Sequence, residues 1–243
     1  MNKVKQLQQK IVAAFQRVAD PGRAERDRMY HKYDGWNGYG LTALVSRGIE
    51  KRFRKELGML SMLETFDLAM LLVHSPMEEE KFLAVTLLHL HAHEFETKHL
   101  RFLDIFLGYL GSWSTIDEFA GRVLQALLPR FPQEIEALLR KWNKAQSMWT
   151  RRASVVAFTR KVGESGKYTN LGLELCDNLK TAPEDLVQKG VGWALKDLMR
   201  GDKKRVLAYV KLLRKERVPA TITLYALRDL KGGERQVVLS CAR

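Results

Sequence analysis

The chain has 243 residues, 46% of them hydrophobic and 28% charged, which is the composition of a globular protein with a substantial core. A formal net charge of +13 favours polyanionic partners, nucleic acid first, although a ribosome-associated or anionic-membrane protein shares this charge. Two cysteines without metal-ligand spacing, no apolar run of about 18 residues and no signal peptide argue against zinc, a disulfide framework and a membrane span. We therefore expect a cytoplasmic protein.

Nearly every segment has the periodicity of an amphipathic helix. The predicted helices span residues 3–18, 23–33, 41–57, 61–74, 77–93, 96–110, 116–128, 132–144, 148–162, 171–179, 183–200, 203–215 and 220–230. Short loops predict one domain over residues 1–230 and a C-terminal tail over 231–243. Helix pairs about 35 to 45 residues apart favour an all-α, HEAT- or armadillo-like solenoid with a basic concave face. An irregular helical bundle has the same periodicity.

A basic helix follows a loop rich in glycine and aromatic residues, residues 34–40. The helix contains Arg47, Lys51, Arg52, Arg54 and Lys55, and the loop contains Trp36 and Tyr39. A run of like charges is most often a solvated helix face. Because the whole chain is strongly basic, we predict that Arg47 and Tyr39 contact the backbone of a nucleic acid.

Four histidines lie in HLHAHEFETKH, residues 89–99. His89 and His93 share a helix face and Glu96 follows one turn later, which makes a metal site one alternative. The spacing is not HExxH, and a matching set of ligands is missing elsewhere in the chain. We therefore predict no metal, and a polar helix face with some buried imidazoles.

The stretch GSWSTID, residues 111–117, places Trp113 in a break and Asp117 in the first turn of the next helix. A carboxylate there is favoured by free backbone N–H groups and by the helix dipole. Asp117 is therefore either a helix cap or a functional carboxylate. Ser114 and Thr115 are equally suited to the capping role.

Two adjacent arginines, Arg151 and Arg152, interrupt the apolar helix MWTRRASVVAF, residues 148–158. Neighbouring helix positions point about 100° apart, so one arginine can reach outward while the other lies along the helix surface. The planar guanidinium group suits phosphate oxygens. A structural ion pair is the alternative.

The helix LVQKGVGWALKDLMR, residues 186–200, has two different faces. The apolar face is formed by Val187, Val191, Ala194, Leu195 and Leu198. The second face is cationic around one indole and is formed by Lys189, Trp193, Lys196 and Arg200. Gly190 and Gly192 each cost about 1 kcal/mol relative to alanine inside a helix. Either a large ligand approaches the backbone there or another helix packs tightly against it.

Two indoles, one carboxylate and a basic surface suit hydrolysis of an alkylated purine nucleotide. A purine that is cationic at N3 or N7 is a good leaving group without a general acid, and its bond to the sugar breaks through an oxocarbenium-like state. A carboxylate beside the sugar stabilises that state. Indole faces attract the cationic base by about 0.5 to 2 kcal/mol each.

Three stretches resemble motifs of the AlkD family of DNA alkylation-repair glycosylases, in the same order and at similar separations. LVQKGVGWALKD (186–197) is similar to FIQKAIGWALR, MWTRRASVVAF (148–158) to W-x-x-R-[RA] before a hydrophobic helix, and GSWSTID (111–117) to S-W-W-D-x-V-D. The resemblance covers about residues 84–230, and Gly40-Leu41-Thr42 with Arg47 matches more loosely. It implies a monomeric HEAT-like solenoid without a cofactor, which excises N3- and N7-alkylpurines from duplex DNA without a deep base-flipping pocket.

The resemblance also implies roles for particular residues. Trp113 and Trp193 would flank the deoxyribose, Asp117 would stabilise the oxocarbenium and Arg152, rather than Arg151, would hold a phosphate. Lys189 and Lys196 belong to the face expected to contact DNA. Two positions depart from the motif, because Ser112 replaces an expected tryptophan and Ser114 an expected acid.

Two other functions remain open at the level of sequence. The same scaffold could be a non-catalytic binder of damaged or branched DNA, but the retention of Asp117 and both tryptophans favours an enzyme. A HEAT-like protein adaptor is the second alternative. It would bind DNA weakly, whereas phosphate contacts make binding fall steeply with salt.

Overall fold

The computed structural model describes residues 3–31 and 36–241, which contain helices and turns but no β-strand. The chain divides into two compact units, Met1–Leu127 and Leu128–Arg243. The predicted all-α, helical-repeat class is confirmed, and the single domain over residues 1–230 stays a prediction. Residues 32–35, shared between the predicted helix 23–33 and the loop 34–40, lie outside the described residues.

The N-terminal unit is built around a helical hairpin. Its helices are α1 (Lys3–Arg17), α2 (Pro21–Tyr30), α3 (Ala43–Gly58), α4 (Met62–Val73), α5 (Glu78–Leu90), α6 (Arg101–Leu107), α7 (Trp113–Phe119) and α8 (Gln125–Leu127). Helices α4 and α5 form the hairpin, and α1, α3 and α7 pack against it. Ser61 and Glu64 form a capping box that begins α4, which satisfies two backbone donors.

Helix α5 and the segment after it are more broken than their periodicity predicts. Helix α5 ends at Leu90, and 3₁₀ turns at Ala92–Glu94 and Thr97–His99 precede α6. The buried ring of His91 accounts for the break, since Nε2 lies 2.9 Å from the carbonyl oxygen of Leu57 and Nδ1 lies 2.8 Å from Glu94. Side-chain hydrogen bonds here replace helix continuation.

The helix predicted from residue 116 begins earlier, at Trp113. Ser112 is its N-cap, and the Ser112 hydroxyl accepts from the backbone N–H of Thr115 at 3.3 Å. After α7 the same helix continues as a π-helical turn, Ala120–Leu124, and then as α8. Trp113 therefore lies on a helix, not in the break before it, and a π turn of the kind often found at functional sites follows directly.

The C-terminal unit is organised around its longest helix. Its helices are α9 (Pro132–Asn143), α10 (Met148–Val156), α11 (Arg160–Glu164), α12 (Thr169–Asn178), α13 (Asp185–Gly201), α14 (Lys203–Lys215), α15 (Ala220–Ala226) and α16 (Gly232–Ser240). Helix α13 packs against α10, α11, α12, α14 and α15. Its predicted apolar face is fully buried, which supplies the core of the unit.

The two glycines inside α13 allow neighbouring helices to approach. A Cβ atom at Gly192 would lie 2.6 Å from Cβ of Tyr225 and 2.8 Å from the carbonyl oxygen of Ile222, both on α15. A Cβ atom at Gly190 would lie 3.4 Å from Cγ of Arg152 on α10. Of the two alternatives for these glycines, tight helix packing is therefore the one that the structure supports.

Two predicted boundaries of this unit were wrong. The helix predicted over 148–162 stops at Val156. After a turn, α11 begins at Arg160, whose φ lies in the left-handed region. The segment predicted as a tail contains α16, whose Val238 is buried. The Arg214 guanidinium holds α16 by donating to the carbonyl of Leu239 at 3.1 Å.

In the described part of the chain, none of the helices combines the length and apolar character needed to cross a membrane.

Candidate functional site

Trp113 belongs to a stack of aromatic rings in the N-terminal unit. The His31 ring lies between two indoles, 4.9 Å from Trp113 and 5.5 Å from Trp36, with interplanar angles of 20° and 15°. Tyr30 meets Trp113 edge-on at 6.3 Å and is 71% exposed. The stack holds the half-buried Trp113 indole in one orientation. Sequence periodicity marked neither Tyr30 nor His31, because ring stacking between distant segments leaves no local pattern.

The loop that contains Trp36 is held by a buried carboxylate. Glu79 accepts hydrogen bonds from the backbone N–H groups of Tyr39 at 2.9 Å and Leu41 at 3.1 Å. A Cβ atom at Gly38 would lie 2.5 Å from Oε2 of Glu79, so the loop needs glycine there. These bonds anchor the Trp36 side of the ring stack to the start of α5.

The structure corrects the predicted role of Tyr39. Its side chain is buried, its ring stacks on Phe15 at 5.7 Å and its hydroxyl donates to Glu80 at 2.7 Å. Burial, followed by the contact with Glu80, raises the pKa of this phenol well above its ordinary value. Tyr39 therefore stabilises the loop, and its side chain is not available to DNA.

Asp117 lies on α7, four residues after Trp113, so the carboxylate and the indole share one helix face. The carboxylate is beyond the first turn, and Ser112 performs the capping. Asp117 is only 8% exposed. The capping alternative for Asp117 is therefore excluded, and the structure places Asp117 one turn after Trp113 on the same helix rather than across a break from it.

The two serines that depart from the family motif form a hydroxyl network. Ser112 is buried, donates to the buried Glu78 and lies 2.9 Å from the hydroxyls of both Ser114 and Thr115. Ser114 also lines a cleft of about 520 Å³. Small hydroxyl groups thus occupy the space beside Trp113 where the motif has larger side chains.

Arg47 lines a basic groove of about 660 Å³ between α3, α5 and the π turn. Its cationic lining residues are Arg47, Lys51, Arg54 and Arg122. Burial raises the pKa of Glu50 in this groove, while the charge of Arg122 opposes that shift. The groove brings together side chains of α3 spaced by about one turn, an arrangement suited to a phosphate backbone.

The two adjacent arginines of α10 have structural contacts in the C-terminal unit. Arg151 pairs with Glu184 and donates to the carbonyls of Ala145 and Gln146, both at 3.0 Å. Arg152 is 5% exposed and donates to the carbonyl of Leu186. Arg151 therefore forms the structural ion pair that was one of the two alternatives for these arginines. The other alternative, a phosphate contact by Arg152, stays a prediction.

The cationic face of α13 is partly neutralised by carboxylates. Nearest nitrogen–oxygen distances are 2.6 Å for Lys189 with Asp185, 3.2 Å for Lys196 with Asp197, and 2.5 Å for Arg200 with both Glu164 and Asp229. Trp193 is half-buried, and the Arg160 guanidinium lies over its ring, 5.6 Å from the centroid. Arg160 was not identified from sequence, since its predicted position was the interior of a helix.

The described residues contain no group of three His, Cys, Asp or Glu side chains arranged to hold a metal ion. Two of the histidines in the stretch 89–99 contact backbone carbonyls instead. His89 Nδ1 lies 3.1 Å from the carbonyl oxygen of Arg122, and His91 contacts Leu57 as described above. His91 is the buried imidazole that the polar-face interpretation predicted, whereas His89 is exposed.

Three bacterial proteins are among the solved structures of similar fold. A predicted DNA alkylation repair enzyme from Enterococcus faecalis is 16% identical, with a TM-score of 0.75 over 88% of this chain and 98% of that chain. The smu.31 protein of Streptococcus mutans UA159 is 17% identical, with a TM-score of 0.53 over 82% and 96%. Pseudomonas fluorescens alkylpurine DNA glycosylase AlkC, bound to DNA containing an abasic site analog, is 17% identical, with a TM-score of 0.51 over 98% and 66%. These likenesses show a shared helical fold.

A model of the family described as DNA alkylation repair enzyme matches residues 11–230. The chain therefore belongs to the DNA alkylation repair enzyme family. No curated protein matches the sequence. The narrower AlkD-like assignment stays a prediction, and the glycosylase among the similar structures is an AlkC.

Proposed function

We propose that this protein is an AlkD-like DNA glycosylase that hydrolyses the N-glycosidic bond of cationic N3- and N7-alkylpurines in duplex DNA. The observation that carries the proposal is the pairing of Trp113 and Asp117 on one face of α7. The Asp117 carboxylate is buried, and it does not cap α7 because Ser112 is the N-cap of that helix. A carboxylate and an indole one turn apart suit this reaction, because positive charge passes from the alkylated base to the sugar as the bond between them breaks.

The chemistry needs few groups because the alkylated base leaves readily. The C1′–N bond breaks, and its electron pair neutralises the purine. The positive charge that develops on the sugar is stabilised by Asp117, most effectively where water is excluded. Water then adds to C1′ and loses a proton to solvent, which leaves an abasic site. We propose that the protein acts as a cytoplasmic monomer, without a metal, a cofactor or a deep base-flipping pocket.

The proposed roles of Trp113 and Trp193 at the lesion are supported by separate observations, one in each unit. The ring stack fixes Trp113, and its indole attracts a cationic base or sugar. Trp193 is held within a basic face of α13. Lys189, Lys196 and Arg152 complete the set of residues that we propose for contact with DNA.

Release of 7-methylguanine and 3-methyladenine from methylated duplex DNA tests the proposal. The wild-type protein is expected to release both bases and leave abasic sites. Salt-sensitive DNA binding without release would instead establish a non-catalytic binder. Weak DNA binding at every salt concentration would favour a protein adaptor.

Substitution of the groove cations is expected to reduce the salt dependence of DNA binding. Lys51→Ala and Arg54→Ala should each lower the slope of log K against log salt concentration by about 1, because each loses about one phosphate contact. Arg52→Ala is the matched control and should keep the wild-type slope, since Arg52 lies on the same helix but does not line the groove. Fluorescence anisotropy across a salt series measures the slopes, and equal slopes for all three variants would contradict the groove assignment.

A further inference from the structure

Arg160 has an uncommon backbone conformation beside Trp193. Its φ of 53° lies in the left-handed region, where side chains other than glycine, asparagine and aspartate are disfavoured. Such a conformation persists only when surrounding contacts determine it, and it occurs often at functional sites. The turn between α10 and α11 is where the sequence predicted an uninterrupted helix, so local preference does not explain it.

Contacts from α13 hold the Arg160 backbone in place. The backbone N–H of Arg160 donates to Oδ2 of Asp197 at 2.7 Å, and Asp197 is 1% exposed. Gly163 allows α11 to lie against the same part of α13, because a Cβ atom there would be 3.0 Å from the backbone carbon of Asp197. The buried carboxylate and the close packing together fix the direction in which the Arg160 side chain leaves the backbone.

The Arg160 side chain is exposed, and the Trp193 ring supports its guanidinium at 5.6 Å. The neighbouring cations Lys189 and Arg200 differ from Arg160 in this respect, because each forms an ion pair with a carboxylate. Within the part of the chain that the structure describes, no carboxylate forms an ion pair with the Arg160 guanidinium. An exposed guanidinium with a fixed backbone and an aromatic support is prepared to bind an external anion.

We propose that Arg160 binds a backbone phosphate of DNA beside Trp193. This inference rests on the proposed function, since a DNA-repair enzyme presents this surface to a polyanion. Trp193 then has a second role, because its ring orients the phosphate-binding arginine. Arginine donates two parallel hydrogen bonds to a phosphate, which would fix the position of the strand along α13.

A glycine substitution tests this role without disturbing the turn. Arg160→Gly keeps a residue that tolerates positive φ and removes the guanidinium. Arg217→Gly is the matched control, because Arg217 is also an exposed arginine with positive φ, at 59°. Binding to a plain duplex and to a duplex with an abasic-site analog is measured across a salt series, and thermal unfolding verifies that both variants fold.

We expect Arg160→Gly to weaken binding about tenfold at low salt and to lower the salt slope by about 1. Arg217→Gly should keep the wild-type slope, and Arg160→Lys should retain most of it because the charge remains. Equal slopes for Arg160→Gly and Arg217→Gly would overturn the inference while leaving the proposed function intact. Tighter binding of methylated duplex by Arg160→Gly would also overturn it, since Arg160 would then compete with the cationic base for Trp193. Absence of DNA binding by the wild type would refute the proposed function itself.

Discussion

Replacement of Asp117 with asparagine is expected to slow alkylpurine release by about 10² to 10³-fold while leaving duplex affinity nearly unchanged. The expected loss is that of one preorganised electrostatic group facing a developing charge. Asparagine keeps the size of the side chain but removes the negative charge that stabilises the oxocarbenium. Because Ser112 caps α7, the substitution does not remove a helix cap. Base release under single-turnover conditions measures the effect directly.

Asp67→Asn is the matched control for this substitution. Asp67 is an exposed residue of α4 in the same unit, so the variant loses the same formal charge. It should release alkylpurines at the wild-type rate. If Asp117→Asn unfolds, or if both variants release base equally fast, Asp117 has a structural role and the catalytic assignment is wrong.

Gly192→Ala is expected to destabilise the C-terminal unit by about 1 to 2 kcal/mol net. The added methyl would lie 2.6 Å from Cβ of Tyr225 and 2.8 Å from a backbone oxygen of α15, so the two helices must separate. Forced overpacking of this kind typically costs about 1 to 3 kcal/mol. The close contact outweighs the roughly 1 kcal/mol that alanine gains over glycine in a helix.

Gly48→Ala in the N-terminal unit is expected to raise stability, in contrast to Gly192→Ala. Gly48 is exposed on α3, and no atom lies within 4 Å of a Cβ built there. Alanine should therefore stabilise α3 by about 1 kcal/mol. Guanidinium unfolding followed by circular dichroism measures both variants. Destabilisation by Gly48→Ala, or unchanged stability of Gly192→Ala, would contradict the packing described for these glycines.

Local periodicity was sufficient where a helix is determined by its own residues. The predicted helix over 203–215 agrees with α14, whose apolar positions repeat regularly and whose N-cap, Asp202, adjoins it in sequence. Three motifs in order were also sufficient to predict a DNA alkylation repair family, which the match over residues 11–230 confirms at that level. Trp113 and Asp117 were predicted on either side of a helix start, and the structure instead places both on α7, four residues apart.

The roles of single residues required contacts between segments that are far apart in the chain. Tyr39 looked available to DNA, but Glu80 and Phe15 bury it. The sequence left ligand approach and tight helix packing both open for the glycines of α13, and the close contacts of α10 and α15 favour packing. Local sequence determines which residues share a helix face, because that depends on spacing alone. Only the tertiary structure decides whether the face meets another helix, a buried carboxylate such as Asp197, or solvent, because packing partners come from segments that the local pattern does not specify.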